Sequence, residues 1–197
     1  SGKGGTGKTS FTAGVGAALA LSGRRVLCLD CDIGLRNLDL ALGLSDRTLM
    51  DFSDVAQGRC SLDLAAVEHP KIPGLFLLTA PARLRGRPVT ETQMTALLQE
   101  VRRRFDFCLL DAPAGRGAGF QLATCRADRC VVVTTADASS LRDAQHTVME
   151  LDRFPAGTLH LVVNRVRKKL LRQLHATIDD AIDKAGLPLL GVVPEDD

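Results

Sequence analysis

The 197-residue sequence contains no tryptophan and no tyrosine, and 25 basic against 23 acidic side chains leave a net charge of only +2. With charge this balanced, no overall field draws the chain to nucleic acid or anionic lipid, so any such contact is local. No uninterrupted apolar run reaches the ~20 residues that a membrane-spanning helix needs, and no basic-then-apolar export pattern opens the chain. Zinc-site spacing is missing too. Cys28 and Cys31 form a C-x-x-C, but no second Cys or His pair stands at ligand distance, and Cys28, Cys108 and Cys130 fall inside apolar runs. The cysteines are therefore expected as reduced thiols of a cytosolic protein. Internal repeats, low-complexity tracts and dividing linkers are also lacking, which predicts a single domain over 1–197.

What is present is enough apolar material for a core: 45% of residues are hydrophobic, and folding at this length hides roughly 70% of the unfolded surface without staples. Short apolar runs alternate with stretches of helical period, the signature of an α/β fold with a mostly parallel sheet flanked by helices. Strands are expected over 25–30, 75–79, 105–111, 130–134, 159–164 and 189–193. Helices are expected from about Lys8 to Leu21, around Met94, Leu97, Leu98 and Val101, and over residues 170–182. Thr90 and Gln93 form a capping-box pattern, and Gly186 followed by Pro188 is a stop signal. Both ends read as cut, because Ser1 is no initiator and a glycine-rich loop begins at once without a strand before it. The expectation is a fragment lacking its first strand and a C-terminal part.

Gly2-Lys3-Gly4-Gly5-Thr6-Gly7-Lys8-Thr9 fits G-x-x-x-x-G-K-[ST], a pattern that a chain of this length meets by chance roughly once in a hundred. Glycines there let backbone N–H groups turn around phosphate oxygens, and the following helix presents its positive end to the same anion. Residues 2–10, through Ser10, are thus the candidate phosphate site, with Lys8 reaching the β- and γ-phosphates and the Thr9 hydroxyl on Mg²⁺. The alternative is a glycine-rich turn that only caps a helix. Lys3 adds a second cation, able to stabilise charge on a transferring group, or else a solvated loop lysine.

Phe107-Cys108-Leu109-Leu110-Asp111 is an apolar strand delivering a carboxylate, the arrangement that supports Mg²⁺ opposite a phosphate loop, and Ala112-Pro113-Ala114-Gly115 after it reads as a rearranging loop. A strand-end carboxylate also arises by chance. Val26-Leu27-Cys28-Leu29-Asp30-Cys31-Asp32 repeats the pattern with two acids. Asp30 and Asp32 join Thr9 and Asp111 as metal candidates, and Asp32 is the candidate for orienting attacking water. The alternative for Asp30 is a strand-terminating or helix-capping acid.

Together these segments resemble the deviant Walker A ATPases of the ParA/MinD family, whose K-G-G-x-G-K-[ST] carries a lysine corresponding to Lys3. The likeness is closer to the MinD branch, with Asp30-Cys31-Asp32-Ile33-Gly34-Leu35-Arg36-Asn37-Leu38-Asp39 similar to a first switch and Asp111-Ala112-Pro113-Ala114-Gly115 to a second. The resemblance implies an ATP-sandwiched homodimer, hydrolysis with ATP and Mg²⁺, a MinE-like activator, a MinC-like inhibitor and a role in placing the division septum. It implies that Lys3 acts across the dimer, that Asp137 faces the other subunit, and that Asn164, Arg165, Pro194 and Glu195 contact adenine. It also implies a cytoplasmic protein lying on the inner face of the cell membrane when ATP-bound, through a C-terminal amphipathic helix absent from this sequence. Ala114, where a cluster cysteine would stand, disfavours an iron–sulfur protein.

Arginines at 83, 85 and 87, the run Arg102-Arg103-Arg104, and Arg165, Arg167, Lys168 and Lys169 keep a ParA-like DNA-partition ATPase as the alternative. Most of them read as solvated faces, so DNA is not the expected partner. A related MinD-like positioning ATPase and a nucleotide-binding adaptor without hydrolysis also fit these motifs.

Overall fold

The computed structural model describes residues 5–83, 87–167 and 185–195. The helix expected over 170–182, the loop residues Gly2, Lys3 and Gly4, and the basic residues Arg85, Lys168 and Lys169 lie outside them. The chain divides into two compact units, one formed by Thr9–Arg126 and the other by the stretch up to Lys8 together with the chain from Ala127 onward.

In the first unit, β1 (Val26–Asp30) lies between β3 (Leu75–Leu78) and β4 (Phe107–Asp111), parallel to both. A two-residue strand, β2 (Val67–Glu68), joins β3 antiparallel at the edge, giving the order β2-β3-β1-β4. All five residues of β1 are buried, so its side chains feed both faces of the sheet. Leu27 and Leu29 pack with Phe52 and with Met94, Leu97, Leu98 and Val101 of α5 (Glu91–Arg102). Val26 and Cys28 face the opposite layer, with Ala13 and Ala20 of α1 (Lys8–Leu21). Each fully buried leucine contributes about 1.5–3 kcal/mol to this core.

α1 approaches β1 closely because residue 16 is glycine: a Cβ there would collide with the Cys28 sulfur. The sequence signals at α5 are realised in full, with Gln93 N–H donating to Thr90 Oγ1 at 3.2 Å and Thr90 N–H to Gln93 Oε1 at 3.0 Å. At the far end of β1 the Arg25 guanidinium stacks over the Phe76 and Phe105 rings, 4.5 and 5.1 Å from their centroids.

Between β1 and β3 lie short elements that periodicity did not reveal: α2 (Leu38–Ala41), a 3-10 turn (Ser45–Arg47), α3 (Phe52–Ala56) and α4 (Leu62–Ala65). Side chains cap the last two, Asp51 accepting from Ser53 N–H and Asp54 N–H, and Ser61 from Leu64 N–H. After β4 comes α6 (Ala118–Thr124).

The second unit holds β5 (Cys130–Thr134), β6 (Leu159–Val166) and β7 (Leu189–Pro194), all parallel, in that order. α7 (Ala138–Glu150) connects β5 to β6 and buries Ser140, Leu141, Ala144 and Thr147 on one stripe. β6 runs two residues beyond its expected end, through Asn164 to Val166, and its register against β7 shifts between Val163 and Val166. The mostly parallel expectation holds, with β2 as the antiparallel exception.

Candidate nucleotide site

In the second unit the glycine-rich loop arrives at α1 through two left-handed glycines, Gly5 at φ 84° and Gly7 at φ 87°, which residues with a Cβ adopt only under strain. Thr6 between them is buried. Lys8 is the first residue of α1, and no acidic side chain stands in that helix's first turn to oppose an incoming anion. The Thr6 carbonyl accepts a hydrogen bond from Asn164 Nδ2 at 2.9 Å. Val166 pairs with Pro194, so the Asn164-Arg165 and Pro194-Glu195 segments meet, and Glu195 N–H donates to the Val166 carbonyl at 3.0 Å. Arg167 Nε lies 3.5 Å from Glu195 Oε2.

In the first unit, Asp30 and Asp111 are register partners at the adjacent tips of β1 and β4. Both residues are buried, and their carboxylates are held differently. Asp30 Oδ1 accepts from the Asp32 N–H at 2.7 Å and its Oδ2 from the Leu38 N–H at 3.1 Å. Asp30 thus caps α2 from outside the helix, since Asn37 makes no cap bond. Its pKa is pushed up to about 6, chiefly by burial, against the pull of the two N–H donors and with the charges of Asp111 and Asp32 adding to the rise. Asp111 Oδ1 accepts instead from the Thr12 hydroxyl on α1 at 3.2 Å. Asp32 is half-buried, and Thr9 and Ser10 stand on the first turn of α1.

Thr12 escaped the sequence reading. Its signal is position, three residues after Thr9 on the same helical face. Among the described residues no three His, Cys, Asp or Glu side chains converge as a metal cage. That donor set still suits Mg²⁺, which takes one or two carboxylates and a hydroxyl and completes its shell with phosphates and water.

The chain beyond Asp30 meets the chain around Asp111 and α6 at Cys31. Cys31 N–H donates to the Asp111 carbonyl at 3.0 Å, and a Cβ on Gly119 of α6 would run into the Cys31 carbonyl. The loop after β1 is fastened further on: Gly34 N–H donates to the Pro81 carbonyl at 3.1 Å, and Arg36, left-handed at φ 49°, sends Nη2 to Asp39 Oδ2 at 3.1 Å and Thr48 Oγ1 at 2.6 Å. The loop after β4 turns through left-handed Gly115 at φ 84°, and Gly117, which precedes α6, leaves that helix without a side-chain cap.

A family profile, described as the CobQ/CobB/MinD/ParA nucleotide binding domain, matches residues 1–197. The chain belongs to the MinD/ParA family of nucleotide-binding ATPases. Within that family it is a homologue of the septum-site-determining branch: the MinD protein of Synechocystis is 39% identical over 198 residues, covering all of this chain and 74% of the relative. Solved MinD structures superpose along the whole chain. The Aquifex aeolicus MinC:MinD complex matches at 34% identity and a TM-score of 0.87 over 79% of its chain. MinD from Pyrococcus horikoshii, complexed with Mg-ADP, matches at 29% and 0.81, also over 79%.

For a MinD/ParA chain the basic runs bear on whether DNA is a partner. Arg104 is already engaged by acids of its own unit, Asp63 and Glu100, the latter at 2.9 Å. Arg102 reaches the Arg126 carbonyl at 3.4 Å. Asp137 is exposed, and its carboxylate caps α7, accepting from Ser140 N–H at 3.0 Å and from the Ser139 and Thr135 hydroxyls. The hydroxyl bonds of Ser139 and then Thr135 hold it well below the usual carboxylate range. Among the described residues no helix is long and apolar enough to cross a membrane.

Proposed function

We propose that this chain binds ATP with Mg²⁺, dimerises around it, hydrolyses it and uses that cycle to place the division septum, residues 1–197 acting as one ATPase domain. The observation that carries the reading is the combination of a left-handed glycine loop at the start of α1 with two register-matched acids on β1 and β4, in a chain 39% identical to a MinD protein.

In this reading the N–H groups of residues 2–8 hold the phosphates, Lys8 contacts the β- and γ-phosphates, and Lys3 reaches the nucleotide of the facing subunit. Thr9, Asp30, Asp32 and Asp111 are the residues that would hold Mg²⁺. Mg²⁺ supplies neutralisation of the phosphate charge when bound. Asp32 orients the attacking water. Asn164, Arg165, Pro194 and Glu195 surround the base. A MinC-like inhibitor, of the kind that accompanies MinD in the Aquifex complex, and a MinE-like activator are the partners, with membrane association in the ATP state.

The test is ATP turnover and ATP-dependent dimerisation of the full-length protein. Lys8→Ala abolishes nucleotide binding, and Asp32→Ala traps an ATP-bound dimer. Turnover that survives Asp32→Ala removes Asp32 from the water-orienting role.

A further inference from the structure

Asn164 is buried, and its Nδ2 donates to the Thr6 carbonyl at 2.9 Å. A Cβ on Gly7 would occupy the place of that same nitrogen. At the next residue, Arg165, the backbone turns left-handed with φ 55°, and the pairing of β6 with β7 slips between Val163 and Val166. An irregularity of this kind re-aims the neighbouring side chain, and a left-handed non-glycine residue is uncommon enough to call for a reason. Here its result is a carboxamide delivered to the glycine loop.

We infer that Asn164 is a positioning residue for the phosphate loop, a strut that sets the direction of the Gly7 N–H. The Thr6–Gly7 peptide is planar and trans, so a carbonyl fixed toward β6 forces the amide of the same peptide to point the opposite way. An amide fixed in advance loses less freedom when an anion arrives. This deepens the reading of the loop as a triphosphate site, on which it rests, and goes beyond the base contact expected of Asn164. The base end and the phosphate end of one ligand become coupled through one side chain.

A base-free ligand separates the two roles. The full-length protein and its Asn164→Ala and Asn164→Asp variants are titrated calorimetrically with tripolyphosphate and with ATP, both with Mg²⁺, and amide hydrogen exchange of residues 6–8 is followed without ligand. Asn164→Asp keeps the shape of the side chain and removes the donor. A strut predicts tripolyphosphate affinity down by about tenfold in Asn164→Ala, and faster loop exchange in both variants. Unchanged tripolyphosphate affinity and unchanged exchange, with ATP alone weakened, would overturn the strut and leave a base contact. If the unsubstituted protein takes neither ligand, the nucleotide reading itself fails, and loop exchange still decides whether Asn164 braces the loop.

Discussion

The loops that leave the paired tips of β1 and β4 both turn through a left-handed glycine, Gly34 at φ 96° and Gly115 at φ 84°, and differ in how their first residues and following helices are held. The first is fastened by side chains: Asp30 holds two of its backbone amides, and Arg36 ties it to Asp39 and Thr48. In the second, Gly117 precedes α6 and leaves it without a side-chain cap. The difference teaches how one sheet edge carries two acids with distinct duties. Asp30 organises the backbone that carries Asp32, whereas Asp111, joined to α1 by Thr12, belongs to the side where Thr9 stands.

That contrast is broken most severely at Asp30. Asp30→Ala strands the amides of Asp32 and Leu38 without their acceptor but also removes a buried carboxylate whose pKa is pushed up to about 6, so the loss of stability in urea unfolding is expected to be larger at pH 5 than at pH 8. Next is the meeting point at Cys31. Gly119→Ala drives a methyl group against the Cys31 carbonyl and is expected to cost about 1–3 kcal/mol and to slow ATP turnover more than it weakens ATP binding. Gly117→Ala, two residues earlier with nothing within 4 Å of the new Cβ, should leave both unchanged; equal effects from the two would dissolve the coupling. Thr12→Val removes the hydroxyl from Asp111 for about 1 kcal/mol or less, and a raised Mg²⁺ requirement in the turnover assay is its expected mark.

An exposed carboxylate supplies the sharpest contrast. Asp137 is held below its ordinary range by hydroxyl and amide donors, so its contribution is present above the unfolded carboxylate value near 3.9 and is lost as pH falls through the lower folded value. Asp137→Ala should therefore cost about 1 kcal/mol at neutral pH, a gap that narrows in denaturation curves taken progressively below pH 4.

The strong periodicities were legible. The apolar run into Asp30 and the run into Asp111 are adjacent parallel strands, and Met94, Leu97, Leu98 and Val101 are the buried stripe of α5. Val67–Glu68 was not, because two residues carry no alternation, and the helices between 38 and 65 are four or five residues long, too short for a 3.6-residue period to repeat. At the site, residue types were readable and their mutual bonds were not. Asp30 offered both a metal-supporting and a capping reading, and its geometry realises the capping bonds. Thr12 and Gly119 act through neighbours distant in sequence, as does Asn164 on Thr6, and no local pattern announces such pairings.

The sulfur of Cys28 lying where a side chain of Gly16 would be makes these two positions share a single volume. Enlarging residue 16 by one methyl demands a smaller residue at 28, so homologues in which one position changes are expected to have changed the other. Because α1 also carries Thr9 and Thr12, any adduct on that thiol would push the helix off the sheet and displace both threonines. Burial, which lifts the Cys28 thiol to about 12, guards against that chemistry at neutral pH.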